Sequence, residues 1–119
     1  MSVLLDTNIV LYFLSGRLAE PLPVGPLAIS VITELELLSF PALDAAGEST
    51  IRTFLSQVTV LDLAGPVKDA AVAARRTHGL RLPDAIVVGT ASAHGLSLLT
   101  NDERLVRKQV VETRSLRLK

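Results

Sequence analysis

The order of apolar segments in this chain predicts an α/β fold, a three-layer α/β/α sandwich with a central, mostly parallel sheet. Two observations carry this prediction. Short apolar runs typical of buried strands alternate with longer apolar segments typical of helices, and proline and glycine separate several of them. In addition, 119 residues with 49% hydrophobic content suit one compact core, so we expect a single domain over residues 1–119.

The first half of the chain is expected to form three strands and three helices. The strands are predicted over residues 2–5, 26–30 and 58–63, and the helices over residues 8–14, 31–38 and 49–57. Proline and glycine in the stretch RLAEPLPVGPLA predict a loop before the second strand. Thr33 and Glu36 match a capping box, which predicts a helix start at this point. The stretch FPALDAAGES is expected to break that helix before the next one begins.

The second half is expected to form three further helices and two strands. The helices are predicted over residues 66–78, 83–94 and 102–107, and the strands over residues 97–100 and 110–116. The two longer helices end in His-Gly, where glycine suits a left-handed cap and histidine lies near the negative end of the helix dipole. Neither histidine has a partner at metal-ligand spacing, so both are interpreted as helix-end residues. Gly89 lies in a helix that is apolar nearly all round, which is therefore expected to be buried with a close neighbour.

Composition excludes several classes of protein. Twelve basic and twelve acidic residues balance, so no global basic field indicates nucleic-acid binding. The charge is nevertheless divided: seven acids and two bases up to Asp62 give −5, and five acids and ten bases from Leu63 onward give +5, a split that allows an acidic pocket beside a basic surface. The absence of cysteine excludes disulfides, thiolate metal ligands and thiol nucleophiles. No apolar run reaches the roughly 18 residues of a membrane span and no signal peptide is recognised, so we expect a soluble, cytoplasmic protein without a membrane partner.

Four carboxylates are expected to converge at one rim of the sheet. Asp6 and Asp102 directly follow predicted strands, Asp84 begins a helix, and Glu36 lies one turn into another helix, where side chains tilt back toward the strand end. Each alone has a structural explanation as a cap or a first-turn charge. Together, crowded carboxylates raise one another's pKa, and a divalent cation would offset that cost. Ligands that are all oxygen indicate Mg²⁺ or Mn²⁺. Asp62, in a predicted strand, is a weaker candidate for the same rim.

Three segments that carry these acids resemble the PIN domain, and specifically the VapC-type toxins of bacterial and archaeal toxin–antitoxin pairs. The segments are LLDTNIVLYFL, ISVITELELL and LPDAIVVGTASAHGLSLLTND, and the order and spacing of the four acids also match. The resemblance covers essentially the whole chain. It implies a parallel α/β/α sandwich, metal-dependent ribonuclease activity, a cognate antitoxin and, in many members, a homodimer.

The resemblance also assigns roles to individual residues. The first aspartate of the family falls on Asp6, with Asn8 of the DTN motif as a supporting polar group. The third acid corresponds to Asp84. The fourth, in a Thr-x-Asp motif, corresponds to Asp102, with Thr100 as its neighbour. These residues are the predicted metal ligands and catalytic groups.

The family's glutamate identifies the remaining acid. It usually lies six residues beyond the serine that ends the second strand, which here is Ser30 and gives Glu36 rather than Glu34. The implied activity is endoribonuclease hydrolysis of RNA phosphodiester bonds by a metal-activated water, with Mg²⁺ or Mn²⁺ as the cofactor. Glu36 is the candidate to orient or deprotonate that water, and it binds the metal directly or through water.

Two basic clusters are candidates for holding RNA. They are Arg75, Arg76 and Arg81 near the end of one helix, and Arg104, Arg107 and Lys108 just past the last acid. Solvated helix faces are the alternative interpretation of both. Because aromatic residues are only 3% of the chain, base stacking is expected to contribute little to recognition.

Two alternative functions remain open at this point. A receiver-type phosphoacceptor signalling domain shares the length, the sheet and the acidic pocket, but it expects two adjacent acids after the first strand and a lysine where the last strand has Arg114. Only Asp62 is placed to act as its acceptor. The second alternative is a catalytically inactive PIN-like module that binds nucleic acid or protein. The presence of all four acids argues against it.

Overall fold

Five parallel strands form one sheet in the order β3-β2-β1-β4-β5, in a computed structural model that describes residues 3–119. The strands are β1 Val3–Leu5, β2 Leu27–Ser30, β3 Thr59–Leu61, β4 Ser97–Leu99 and β5 Thr113–Arg114. The helices are α1 Thr7–Leu14, α2 Val31–Leu38, α3 Ala45–Leu55, α4 Gly65–His78, α5 Leu82–His94 and α6 Glu103–Lys108. The predicted α/β class is confirmed, and the sheet is wholly parallel in the described residues.

The sheet is buried on both faces, which gives the three predicted layers. Alternate residues of β1 point to opposite sides, as the two-residue period of a strand requires. Leu4 packs in a cluster with residues of α4 and α5, whereas Val3 and Leu5 pack in a second cluster with residues of α1, α2 and α3. A parallel sheet needs helices on both faces because connections between its strands must cross back over the sheet.

The strand order determines which strands have neighbouring carboxyl ends. β1 lies between β2 and β4, so the residues that follow these three strands are neighbours at one edge. The hydrogen bond from the Asp6 backbone N–H to the Leu99 carbonyl, 2.9 Å long, continues the β1–β4 pairing to the end of the strands. The position just beyond this edge is where ligands bind in open parallel sheets.

Helix α5 is the buried helix that the sequence predicted. Its residues from Ala85 to Ala91 are all buried. Gly89 faces α4 so closely that an added Cβ would lie 2.7 Å from the backbone nitrogen of Ala71. The His-Gly ends are also confirmed, since Gly79 and Gly95 both cap their helices with φ of 65°.

The predicted capping box is wrong. α2 begins at Val31, and its N-cap is Ser30, whose side chain accepts a hydrogen bond of 3.1 Å from the Ile32 backbone N–H. The serine that ends the strand therefore starts the helix without a connecting loop. Thr33 is buried inside α2, where its hydroxyl is used for a tertiary contact with Thr7.

Helix α3 and strand β5 also differ from their predicted extents. α3 starts at Ala45 rather than at residue 49, because the Asp44 side chain caps it through a 2.7 Å hydrogen bond from the Gly47 N–H. β5 is two residues long instead of the predicted seven, and Val110 and Val111 pack against the core from outside the strand. The remaining strands are confirmed with small changes at their ends, and the predicted start of the first strand at Ser2 lies outside the described residues. Within residues 3–119, no helix combines the length and apolar character needed to cross a bilayer.

Candidate functional site

The structure brings the four predicted acids together around one cleft at the carboxyl edge of the sheet. Asp6 follows β1, Glu36 comes from α2, Asp84 lies in the first turn of α5, and Asp102 follows β4. The other residues that line this cleft are Thr7, Asn8, Arg81, Pro83, Val87 and Arg104. Four separate elements therefore converge there, as the strand-end argument predicted, and two arginines from the predicted basic clusters join them.

Asp6 is the most deeply placed of the acids and is held at both carboxylate oxygens. It is the N-cap of α1, where Oδ1 accepts a 2.9 Å hydrogen bond from the Thr7 backbone N–H. Its Oδ2 accepts a 2.7 Å hydrogen bond from the Thr100 hydroxyl. Burial raises the pKa of Asp6; the hydrogen bonds from Thr100 and Thr7 partly oppose this, and the nearby charges of Asp84 and Asp102 raise the pKa further. The structure thus holds a carboxylate where its charge is unfavourable.

This environment predicts a pH dependence of stability for the metal-free protein. A carboxyl group whose pKa is raised on folding stabilises the fold at acid pH, and that contribution is lost as the pH rises through the folded-state pKa. We therefore expect Asp6→Asn to raise the free energy of unfolding at neutral pH in EDTA. Chemical denaturation of both proteins measures the difference, which should shrink as the pH falls toward the ordinary aspartate range.

The exposed Asp69, on α4, provides the matched control for that comparison. Asp69→Asn removes the same charge without removing a buried carboxylate, and its stability should follow that of the wild type at each pH. Equal stability of wild type and Asp6→Asn across the range would contradict the electrostatic account of Asp6.

Thr100 links Asp6 to Asp102. Its buried hydroxyl donates to Asp6 and accepts a 3.0 Å hydrogen bond from the Asp102 backbone N–H. One side chain that follows β4 therefore contacts both acids, which explains how the predicted supporting residue Thr100 would support the site. The other predicted supporting residue, Asn8, is exposed in the first turn of α1 and lines the cleft.

Asp102 forms an ion pair with Arg104. Oδ1 of Asp102 accepts a 2.9 Å hydrogen bond from the Arg104 backbone N–H, as an N-cap does, and Oδ2 lies 2.8 Å from Arg104 Nη2. The same Nη2 atom is 3.6 Å from Oδ2 of Asp84. The hydrogen bond from the Arg104 side chain is the main reason that the pKa of Asp102 is lowered. Arg104 therefore bridges two of the four acids.

Glu36 is positioned by two threonines that the sequence interpretation missed. The Thr7 hydroxyl donates a 2.6 Å hydrogen bond to Glu36 Oε1 and lies 3.0 Å from the Thr33 hydroxyl. Because Thr7 has one hydroxyl proton and gives it to the carboxylate, Thr33 is the donor in the second contact. Thr7 stands between Asp6 and Asn8 in the DTN motif, and this position was the available signal. Thr33 gave none, since its spacing to Glu36 matched a capping box.

The two basic clusters are divided by the structure. Arg81 and Arg104 line the cleft with the acids. The remaining members lie elsewhere and are exposed; they are Arg75 and Arg76 in the last turn of α4, and Arg107 and Lys108 in the last turn of α6. Lys108 donates a 2.8 Å hydrogen bond to the carbonyl of His78, so it ties α6 to the end of α4. RNA binding by these residues stays a prediction.

The chemistry of the cleft fits a hard divalent cation, although its acids are engaged with other partners. Carboxylate and hydroxyl oxygens are the ligands that Mg²⁺ and Mn²⁺ prefer. In residues 3–119, no three acidic, histidine or cysteine side chains stand together at metal-ligand spacing. Glu36 is hydrogen-bonded to Thr7, and Asp102 is paired with Arg104. The donor atoms are therefore present in the cleft, and those of Glu36 and Asp102 have protein partners in this structure.

Comparisons with known proteins place this architecture in a class. The PIN domain family profile matches residues 3–111. A chain of a toxin–antitoxin complex from Klebsiella pneumoniae is 34% identical, with a TM-score of 0.74 over 84% of this chain and 86% of that chain. This chain belongs to the PIN domain family. Membership supports a hydrolase that acts on nucleic acid. Nucleases of this family generally use divalent metal ions.

More distant structures support the same fold. VapBC2 from Rickettsia felis, bound to a DNA fragment from its promoter, is 19% identical with a TM-score of 0.81. DNA-bound VapBC from Salmonella typhimurium is 21% identical with a TM-score of 0.80. Both matches cover 97% of this chain and 98% of the other chain. No curated protein sequence matches this chain significantly.

Proposed function

We propose that this protein is a VapC-type toxin of a toxin–antitoxin pair, and that it is an endoribonuclease dependent on Mg²⁺ or Mn²⁺. The observation that carries the proposal is the convergence of Asp6, Glu36, Asp84 and Asp102 on one polar cleft at the strand ends. Family membership supports the nuclease class, and the similarity to the Klebsiella pneumoniae toxin–antitoxin complex supports the biological role. Membership in the PIN domain family also argues against the receiver-type signalling domain.

In this proposal Asp6, Asp84 and Asp102 hold the cation, and Glu36 binds it directly or through water. A divalent cation held by these residues would supply charge neutralisation at the scissile phosphate and would lower the pKa of an attacking water. Asp6 anchors the site because the hydrogen bonds from Thr7 and Thr100 hold its carboxylate in one orientation. A fixed anchor of this kind preorganises the charge before the substrate arrives.

The other residues of the cleft act on the substrate. Glu36 is exposed and lines the cleft from α2, and it is the candidate to orient the attacking water or to accept its proton. Arg81 and Arg104 line the cleft together with the acids, and guanidinium groups suit the bidentate recognition of phosphate. The exposed Arg75, Arg76, Arg107 and Lys108 are proposed to add a nonspecific attraction for RNA.

Thr7→Val tests the positioning of Glu36. The substitution removes the 2.6 Å hydrogen bond to Glu36 while keeping the shape of the side chain. We expect kcat to fall by about ten- to a hundredfold with little change in KM, because a catalytic group loses its orientation. The free energy of unfolding should fall by roughly 1 kcal/mol from the lost hydrogen bonds. Thr7→Ser restores the hydroxyl and should restore kcat; loss of kcat in both variants would contradict the role of this hydrogen bond.

The proposal includes partners and location. We propose a cognate antitoxin and a second copy of the chain as protein partners, in the cytoplasm, with residues 1–119 acting as one domain. Exposed apolar side chains supply surface for such contacts; among the largest are Leu11, Phe13, Leu35, Phe40 and Leu82. Size-exclusion chromatography with light scattering tests dimer formation.

Two experiments test the proposed function. The purified protein should cleave pooled RNA with Mg²⁺ or Mn²⁺ and should not do so in EDTA. Expression of the chain alone should arrest growth, and co-expression with the product of the neighbouring small open reading frame should relieve the arrest and yield a complex. If the complex forms and RNA stays intact with either metal, the inactive PIN-like binding module is the better account. If the chain is harmless alone and no complex forms, the toxin assignment is wrong.

A further inference from the structure

The positive charge of Arg104 lies between two of the acids that line the cleft, Asp84 and Asp102. Its Nη2 atom lies 2.8 Å from Oδ2 of Asp102 and 3.6 Å from Oδ2 of Asp84, so one guanidinium nitrogen bridges carboxylates from two different elements. Its Nε atom is 3.3 Å from Oδ1 of Asp102, so both carboxylate oxygens of Asp102 face this one side chain. The fork geometry of guanidinium is suited to such a pairing.

These contacts compete with metal binding. Both carboxylate oxygens of Asp102 accept hydrogen bonds from Arg104, so an ion bound by Asp102 would share these oxygens with the guanidinium group. A positive guanidinium and a divalent cation between the same two carboxylates would also repel each other at short range. The guanidinium group and a divalent cation would therefore compete for the same carboxylates.

The Arg104 side chain is more exposed than the two acids that it contacts. About half of its side-chain surface is exposed, at 52%, whereas the side chains of Asp84 and Asp102 are 26% and 20% exposed. Long charged side chains at such partly exposed sites exchange partners readily because their ion pairs are weak. Its backbone lies in the first turn of α6, where its N–H is hydrogen-bonded to Asp102.

We propose that Arg104 is an internal counter-ion of the metal-free cleft, which leaves Asp84 and Asp102 when a divalent cation binds. This inference rests on the proposed function, because it takes the cleft as the cation site. Arg104 compensates the carboxylates while the site is empty of metal, and the same contacts lower the affinity for the cation. Metal loading is then an exchange of one positive group for another.

Calorimetric titration of Mn²⁺ into metal-stripped protein tests the exchange. Arg104→Gln removes the bridging charge, and we expect it to bind Mn²⁺ about fivefold more tightly than the wild type, as befits weak, partly exposed ion pairs. Arg81→Gln is the matched control. It removes the same charge from the same cleft, and within residues 3–119 no ion pair joins Arg81 to an acid, so its affinity should change by less than about twofold.

Thermal unfolding gives a second readout that does not depend on activity. In EDTA, Arg104→Gln should unfold at a lower temperature than the wild type, because the acids lose their counter-ion. At saturating Mn²⁺ the difference should close or reverse. Arg104→Lys, which keeps the charge and loses the fork, should have an intermediate Mn²⁺ affinity and carries the test if Arg104→Gln does not fold.

The outcomes separate the inference from the function on which it rests. Tighter Mn²⁺ binding in Arg104→Gln than in Arg81→Gln supports the counter-ion role. Equal affinities in these two variants, with clear binding by the wild type, overturn the role and leave the metal site in place. Absence of Mn²⁺ binding in all variants overturns both.

Discussion

Asp6→Asn is expected to lower kcat/KM for RNA by about a hundred- to a thousandfold at saturating Mn²⁺. Asp6 is the acid with the least freedom, since its Oδ1 and Oδ2 atoms accept hydrogen bonds from Thr7 and Thr100. Asparagine has almost the same shape, but it lacks the negative charge that a divalent cation requires. The measurement is steady-state cleavage of a labelled RNA by both proteins.

Two controls make the result specific to the charge. Asp69→Asn should keep wild-type activity, because Asp69 is exposed on α4 and does not line the cleft. Unfolding of Asp6→Asn should be as cooperative as that of the wild type, which excludes a trivial loss of structure. Activity within tenfold of the wild type in a folded Asp6→Asn protein would remove Asp6 from the site.

The second large effect is expected at Gly89, in the interior of the fold. An added Cβ at this position would lie 2.7 Å from the backbone nitrogen of Ala71, 2.9 Å from its Cα and 3.1 Å from its Cβ. Backbone atoms cannot rotate away as a flexible side chain can, so α4 and α5 would have to separate. We expect Gly89→Ala to lower the free energy of unfolding by about 1–3 kcal/mol, the usual cost of overpacking.

Gly65→Ala is the matched control for this prediction. Gly65 begins α4, and an added Cβ there meets no atom within 4 Å. Its effect on stability should stay within about 0.5 kcal/mol. Denaturant midpoints of the three proteins measure both effects. If Gly89→Ala is as stable as the wild type, the close approach of α4 and α5 is not a feature of the folded protein.

The layers of the fold were predictable from the sequence because they depend on local patterns. The length of each apolar segment distinguished β-strands, which are short, from helices, which are longer. The alternation of the two implied a parallel sheet with two covered faces. The strand-end rule then predicted Asp6 and Asp102 at one rim, and Asp84 was added because it begins a helix, without any knowledge of tertiary contacts. Signals of this kind lie within a few residues of one another along the chain.

The parts that could not be predicted depend on contacts between distant segments. Thr7 and Glu36 are 29 residues apart, and their hydrogen bond exists only because β1 and β2 are adjacent. The predicted span of α2 is confirmed, but its cap was assigned wrongly: Ser30 caps the helix directly from the strand, whereas the pattern at Thr33 predicted a capping box. Local patterns cannot tell a cap from a buried tertiary contact when both use the same residue types.

The distribution of charge shows the same limit. The acidic first half and the basic second half of the chain allowed an acidic pocket beside a basic surface. The structure instead mixes the two, because Arg81 and Arg104 from the basic half line the same cleft as Asp6 and Glu36 from the acidic half. Chain position alone does not report this arrangement, because β1 of the acidic half and β4 of the basic half are neighbours in the sheet, which brings residues of both halves to one cleft.

Paramagnetic broadening by Mn²⁺ in the ¹H–¹⁵N spectrum tests most directly whether the four acids form one cation site. Substoichiometric Mn²⁺ should first broaden the amide signals of residues at and beside Asp6, Glu36, Asp84 and Asp102, and Asp6→Asn should suppress this pattern. Broadening that starts elsewhere, or that is the same in the folded Asp6→Asn protein, would contradict the metal-nuclease account and leave these acids with structural roles as helix caps and ion-pair partners.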